Sequence, residues 1–96
     1  GQERKGNTKK FVIDFEGGPL DALEQRFDVE PMVDAGRGTV GGRYVVKVVG
    51  TNRWRAFFDL DVEGSEPVEL RCYLKLDGEV LSETWMYQYL PFSFPA

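Results

Sequence analysis

Hydrophobic and polar residues alternate without a break from Val68 to Leu76. Val68, Leu70, Cys72, Leu74 and Leu76 fall on one parity, and Glu69, Arg71, Tyr73 and Lys75 on the other, which is the pattern of a strand with one dry face. Asp77-Gly78 follows, a pair that tolerates positive φ in a tight turn. A second run from Val80 to Tyr89 then carries Leu81, Trp85, Tyr87 and Tyr89 on one parity, so Pro67 to Tyr89 reads as a β-hairpin. A lone hairpin is marginal in water, and other parts of the chain must cover its apolar face.

Those parts are readable in order. Phe11, Ile13 and Phe15 share one face of a first strand that ends at Glu16-Gly17-Gly18-Pro19. Leu20, Leu23 and Phe27 recur at spacings of three and four, which predicts one or two helical turns over Leu20 to Phe27, too short to stand alone. Val29 to Ala35 alternates, and Pro31 makes it an edge strand. Gly36-Arg37-Gly38 predicts a turn, and Gly41-Gly42 a bulge in the next run. From Tyr44 to Val49 both parities are apolar apart from Lys47, predicting a strand covered on both sides. Trp54, Ala56, Phe58, Leu60 and Val62 then point inward against Arg55, Phe57, Asp59 and Asp61. Six to seven short strands joined by Gly-, Pro- and Asp-containing turns predict an all-β fold, an antiparallel immunoglobulin-like (E-set-like) β-sandwich. Its expected core includes Phe11, Ile13, Val46, Trp54, Phe58, Leu70, Cys72, Leu74 and Trp85.

With 96 residues, 42% of them hydrophobic, the chain suits one packed domain. The formal net charge is −4. Arg4, Lys5, Lys9 and Lys10 crowd into the first ten residues, leaving 8 basic and 15 acidic side chains in the remaining 86, a net of −7 there. Such a body repels phosphate backbones, so nucleic acid is not an expected partner. Residues 1–9 read as a linker or vector-derived leader, 10–90 as the sandwich domain and 91–96 as a C-terminal tail. No apolar run reaches the roughly 18 to 20 residues of a membrane span, and the N-terminus lacks the apolar centre of a signal peptide. A soluble monomer is therefore expected. Cys72, the single cysteine, lies on the apolar parity and reads as a small buried hydrophobe.

The chain has no histidine. Ser-His-Asp and Cys-His catalysis and histidine metal sites therefore drop out, and one thiol cannot cage zinc. Neither a catalytic residue, a metal nor a cofactor is expected. Asp59 and Asp61 share the outer parity of one strand, as a glycosidase pair or, with Glu63, part of a calcium site could, but alternating acids on a solvated strand face are the plainer reading. Among the aromatics, Trp54 and Trp85 lie on inward registers. Tyr73 and Phe57 point outward and are candidates for stacking on a sugar ring. Glu83 shares the parity of Leu81, Trp85 and Tyr87; it either meets an arginine inside or sits open at a strand end.

Pro67-Val68-Glu69-Leu70-Arg71-Cys72-Tyr73-Leu74, followed by Leu81-Ser82-Glu83-Thr84-Trp85-Met86-Tyr87-Gln88, resembles the C-terminal end of the periplasmic glucan biosynthesis proteins of Gram-negative bacteria, the MdoG/OpgG and OpgD type. The likeness extends upstream through Phe11-Val12-Ile13-Asp14-Phe15-Glu16-Gly17-Gly18 and Trp54-Arg55. It implies a periplasmic location and a two-domain protein, whose large N-terminal domain handles β-1,2-linked glucan and whose smaller C-terminal domain is this one. No catalytic residue of that family transfers to a position here. The implied role is structural, with the N-terminal glucan-handling domain as partner; the alternative is a carbohydrate-binding module touching β-glucan through Tyr73 and Phe57. Val45 and Val49, with Phe92 and Phe94 from the tail, are the expected interdomain contacts, since surplus apolar surface marks interfaces. The competing expectation is that the tail folds back over that strand.

Overall fold

The computed structural model describes residues 7–91. Seven strands form two antiparallel sheets. They are β1 (Asn7–Phe15), β2 (Glu30–Ala35), β3 (Thr39–Lys47), β4 (Trp54–Val62), β5 (Val68–Leu76), β6 (Glu79–Val80) and β7 (Trp85–Tyr89). One sheet has the order β1-β4-β3; in the other, β5 lies between β2 on one side and β6 and β7 on the other. The expected sandwich is what forms. β1 begins at Asn7, inside the stretch whose composition reads as a linker, and all nine of its residues pair with β4.

Burial follows the alternation. β4 buries Trp54, Ala56, Phe58, Leu60 and Val62, and β5 buries Val68, Leu70, Cys72 and Leu74. These two central strands supply nine of the fourteen buried apolar residues among those described. Phe11 stacks on Phe58 at 5.0 Å between centroids, and Trp54 is fully enclosed although its indole N–H meets no acceptor among the described residues. Burial also pushes the Cys72 thiol up to about 11, so it stays protonated and behaves as the small hydrophobe its position predicts.

The turns use the chemistry their residues provide. Asp77 and Gly78 both adopt positive φ (52° and 82°), as the two-residue hairpin between β5 and β6 requires. The register of β3 against β4 shifts between Gly41 and Tyr44. There Gly42 has φ 59°, and a Cβ on it would sit 2.8 Å from the Asp59 carboxylate. At the far end, the Arg37 guanidinium donates to the carbonyls of Glu63 (2.6 Å) and Glu66, tying the β2–β3 turn to the β4–β5 turn.

Four expectations are corrected. The helix over Leu20 to Phe27 is only a 3-10 turn, Gly18–Ala22; Leu23 is already extended (φ −87°, ψ 127°). Its carbonyl is taken by the Lys47 ammonium at 2.7 Å, and the Gln25 side chain accepts from the Lys47 backbone N–H at 3.0 Å. The segment thus crosses the end of the sandwich, plugging it with Leu20, while Phe27 is left 95% exposed. Val46 is not in the core: opposite Arg55 it points outward, and Val45, opposite Ala56, packs inward. The doubly covered strand Tyr44 to Val49 ends at Lys47, because Val48 enters a turn closed by Thr51. Trp85 packs against the core but remains half-buried.

The second arm of the hairpin is also broken. Leu81 N–H still bonds the Leu74 carbonyl at 2.8 Å, yet the next pair is Cys72 with Trp85, so Tyr73 alone faces Ser82, Glu83 and Thr84. The Ser82 hydroxyl fills the gap by accepting the Leu74 N–H at 2.9 Å. Two extra residues preserve parity, so Leu81 and Trp85 both still face the core.

Phe58→Ala removes the ring at the centre of the sandwich and is expected to cost about 3–5 kcal/mol of unfolding free energy, measured by denaturant titration. The Arg55 guanidinium, hydrogen-bonded to both oxygens of Asp14 on the outer face (2.7 and 3.1 Å), holds that carboxyl below the usual carboxylate range. A lowered folded-state pKa stabilises the fold above the ordinary carboxylate pKa and loses that contribution as pH falls through the lowered value. The stability gap between the native protein and Arg55→Gln should therefore be constant near neutrality and shrink from about pH 4 downward, in pH-dependent thermal unfolding.

Candidate functional site

The two sheets meet differently along their two sides. β2 and β3 lie against each other on one side. On the other, β1 and β7 are both sheet edges, and between them the inward register of β7 is filled with aromatic rings. Trp85, Tyr87 and Tyr89 stand opposite Cys72, Leu70 and Val68 and therefore point into the sandwich. They converge on Phe11 of β1, with centroid distances of 6.3, 6.3 and 5.4 Å and steep interplanar angles, while Trp85 and Tyr87 stack on each other at 5.5 Å. Phe11 is buried, but the seam is not closed: Tyr87 remains 49% exposed, and on the outward register Met86 is 67% exposed.

The seam opens at one end into a groove of about 430 Å³ lined by Ile13, Phe15, Trp85, Thr84 and the carboxylates of Asp14, Glu16 and Glu83. A neighbouring depression of about 320 Å³ shares Glu16 and Glu83 and runs on beneath Gly17-Gly18-Pro19. Glu83 lies in the two-residue insertion and is exposed, so the strand-end alternative for it is the one realised. The groove is thus apolar on its floor and polar on its rim, where Asp14 is held by Arg55 at 2.7 Å and Glu16 lies 3.8 Å from Arg53. Such a lining suits an apolar segment of protein or a hydroxyl-rich ligand.

Phe57 and Tyr73 both point outward as their parity predicts, but from opposite sheets, so the structure does not bring them together. Phe57 stacks on Tyr44 at 4.5 Å, in a cross-strand row with Val12. The Lys10–Asp59 pair (3.0 Å) and the Arg55–Asp14 pair (2.7 Å) flank that row. Tyr73 faces the other way, opposite Met32. Val45 and Val49 do not share an open face either: Val45 packs on the core, whereas Val49 is 94% exposed on the rim of a depression of about 450 Å³ at the β3–β4 turn. Phe92 and Phe94 lie outside the described residues. Asp59 and Asp61 share the outer face, Asp59 already holding Lys10. Among the described residues no three His, Cys, Asp or Glu side chains converge as a cation site requires, and no helix is long and apolar enough to cross a membrane.

Sequence reasoning placed Trp85, Tyr87 and Tyr89 on one parity but missed the seam. That parity was the available signal; that no further described strand covers β7 is a matter of sheet order.

A family model described as periplasmic glucan biosynthesis protein, MdoG, matches residues 1–89. The chain is 43% identical over 97 positions to Glucans biosynthesis protein D 2 of Ralstonia nicotianae, an alignment covering 99% of this chain and 18% of that protein. It is 41% identical over 93 positions to Probable glucans biosynthesis protein D of Shewanella oneidensis, covering 95% of this chain and 17% of the relative. The figures for Glucans biosynthesis protein D of Stenotrophomonas maltophilia are the same. The chain therefore spans less than a fifth of the length of the relatives it matches. On the match across residues 1–89 and the identity to these relatives, the chain belongs to the periplasmic glucan biosynthesis protein family.

Proposed function

We propose that this chain is a non-catalytic, immunoglobulin-like domain of a periplasmic protein for osmoregulated periplasmic glucan (β-1,2-linked glucan) biosynthesis, and that it serves as a structural module docked on a glucan-handling domain elsewhere in the same polypeptide. The observation that carries the reading is the open aromatic seam. Phe11, Trp85, Tyr87 and Tyr89, with Met86 on the outward register of the same strand as the last three, concentrate apolar and aromatic side chains along one side of a small domain, and such surface marks a contact. The relatives supply a partner of sufficient size, being more than five times as long as this region. Val49 adds a second exposed apolar point at the β3–β4 turn. A non-catalytic role accords with a chain that has no histidine and whose strand carboxylates Asp14 and Asp59 are engaged by Arg55 and Lys10.

In the full-length protein, Met86→Ser combined with Tyr87→Ser is expected to loosen the domains, seen as a larger radius of gyration in solution scattering and faster proteolytic separation. Circular dichroism should still report an intact β domain. Scattering identical to the native protein would overturn the docking reading.

A second reading, a carbohydrate-binding module, is favoured by the stacked Tyr44–Phe57 pair, half-open on the outer face and bracketed by ion pairs that present hydrogen-bonding groups. Tyr73, on the opposite face, would act as a separate contact. Titrating the chain with β-1,2-glucan while following amide chemical shifts separates the readings: changes confined to the neighbourhood of Tyr44 and Phe57 support binding, and their absence leaves the docking module.

A further inference from the structure

We propose that β7 accepts an added β-strand along the edge that no described strand pairs, and that the strand is donated by the part of the same polypeptide lying outside this chain. The inference rests on the docking reading above and supplies its mode of contact.

An edge strand presents unpaired N–H and C=O groups, and proteins blunt such edges with prolines, bulges and charges. The described strands leave the two sheets four long edges, and three are blunted. β2 carries Pro31, which has no N–H to offer. β3 carries the Gly41–Gly42 irregularity. β1 carries Lys9 opposite Leu60, a charge on the inward register of an edge, followed by Lys10. β7, with the sequence Trp-Met-Tyr-Gln-Tyr, has no glycine, proline or charge.

The register identifies the groups left open. Leu81 N–H bonds the Leu74 carbonyl, so Leu74 addresses the β6–β7 side of β5, whereas the Glu69 carbonyl accepts from Gly36 N–H on the β2 side. Even-numbered residues of β5 therefore bond toward β7. Trp85, Tyr87 and Tyr89, opposite Cys72, Leu70 and Val68, turn their backbone groups back to β5. The N–H and C=O of Met86 and Gln88 consequently point along the free edge. A strand laid there would extend the second sheet across β1 and cover the part of the seam where Phe11 and Tyr87 meet. Its inward side chains would complete the apolar layer, so the donor is an extended segment with apolar residues at every second position. More than four fifths of the length of the matched relatives lies outside this region, and a donor on the same chain acts at high effective concentration.

The test is hydrogen exchange on the full-length protein, read on peptides spanning residues 84–90, together with oxidative footprinting of Met86 and Tyr87. The Met86 and Gln88 amides should exchange on the order of 100-fold more slowly than open amides. Gln88→Pro, which removes one outward donor and leaves the β5 ladder intact, should abolish the protection at Met86. Gln88→Ala, which loses only the side-chain bond to Glu69 (2.9 Å), should retain it. Fast exchange at both amides in the native protein overturns strand addition. If Met86 and Tyr87 are nevertheless shielded from oxidation, the docking reading survives without it; if they too are open, both fall. Protection that disappears on dilution to a monomer would make a second copy the donor and overturn the intrachain source.

Discussion

Two unbroken alternations, on β4 and β5, hold this domain together, and every other element is arranged by pairing with one of them. Each is the central strand of its sheet, flanked on both sides, so its backbone groups are satisfied by neighbours while its inner side chains form the dry layer. Trp54, Phe58 and Leu60 meet Leu70, Cys72 and Leu74 in that layer, with Phe11 stacked on Phe58 as the contribution of β1. Because the other strands are attached through β4 and β5, a defect in this layer weakens both sheets at once.

The seven-strand arrangement leaves the sandwich asymmetric. On one side β2 lies near β3, with Arg37 bridging two turns and Lys47 holding the crossing segment. The other side brings together the edges of β1 and β7, and side chains alone span it. Aromatic rings are suited to that task because they reach across the gap at 5 to 6 Å and tolerate partial exposure. The consequence is a side where the core is visible from outside.

The two-residue insertion between β6 and β7 shows how small a change positions this surface. An even insertion keeps Leu81 and Trp85 on the same face, whereas an odd one would have turned Trp85, Tyr87 and Tyr89 to solvent. Ser82 makes the insertion tolerable by accepting the Leu74 N–H that would otherwise lose its strand partner. Glu83 is carried clear of the interior by the same detour, so its register in an ideal strand would have been costly but its actual position is not.

What the sequence determined by itself was local and periodic. Alternation identified the strands and the buried faces of β1, β4 and β5; Pro31 marked an edge; Asp77-Gly78 and Gly41-Gly42 marked a turn and a bulge, because steric limits on φ act residue by residue. The resemblance carried by the hairpin segment identified the family. The 3.6-residue spacing of Leu20, Leu23 and Phe27 misled, because hydrogen bonds from distant Lys47 outweigh a propensity spread over two turns. The apolar parities of Tyr44 to Val49 misled for a similar reason: which valine faces inward depends on the register against β4 after the Gly41–Gly42 irregularity. Phe57 and Tyr73 were each correctly read as outward, yet only sheet order decides that they lie on opposite faces and that Phe57 meets Tyr44. The seam belongs to the same class. Its residues were visible as one parity, but exposure of that parity depends on β7 having no second neighbour among the described strands, a property of strand pairing between distant segments that no local pattern encodes.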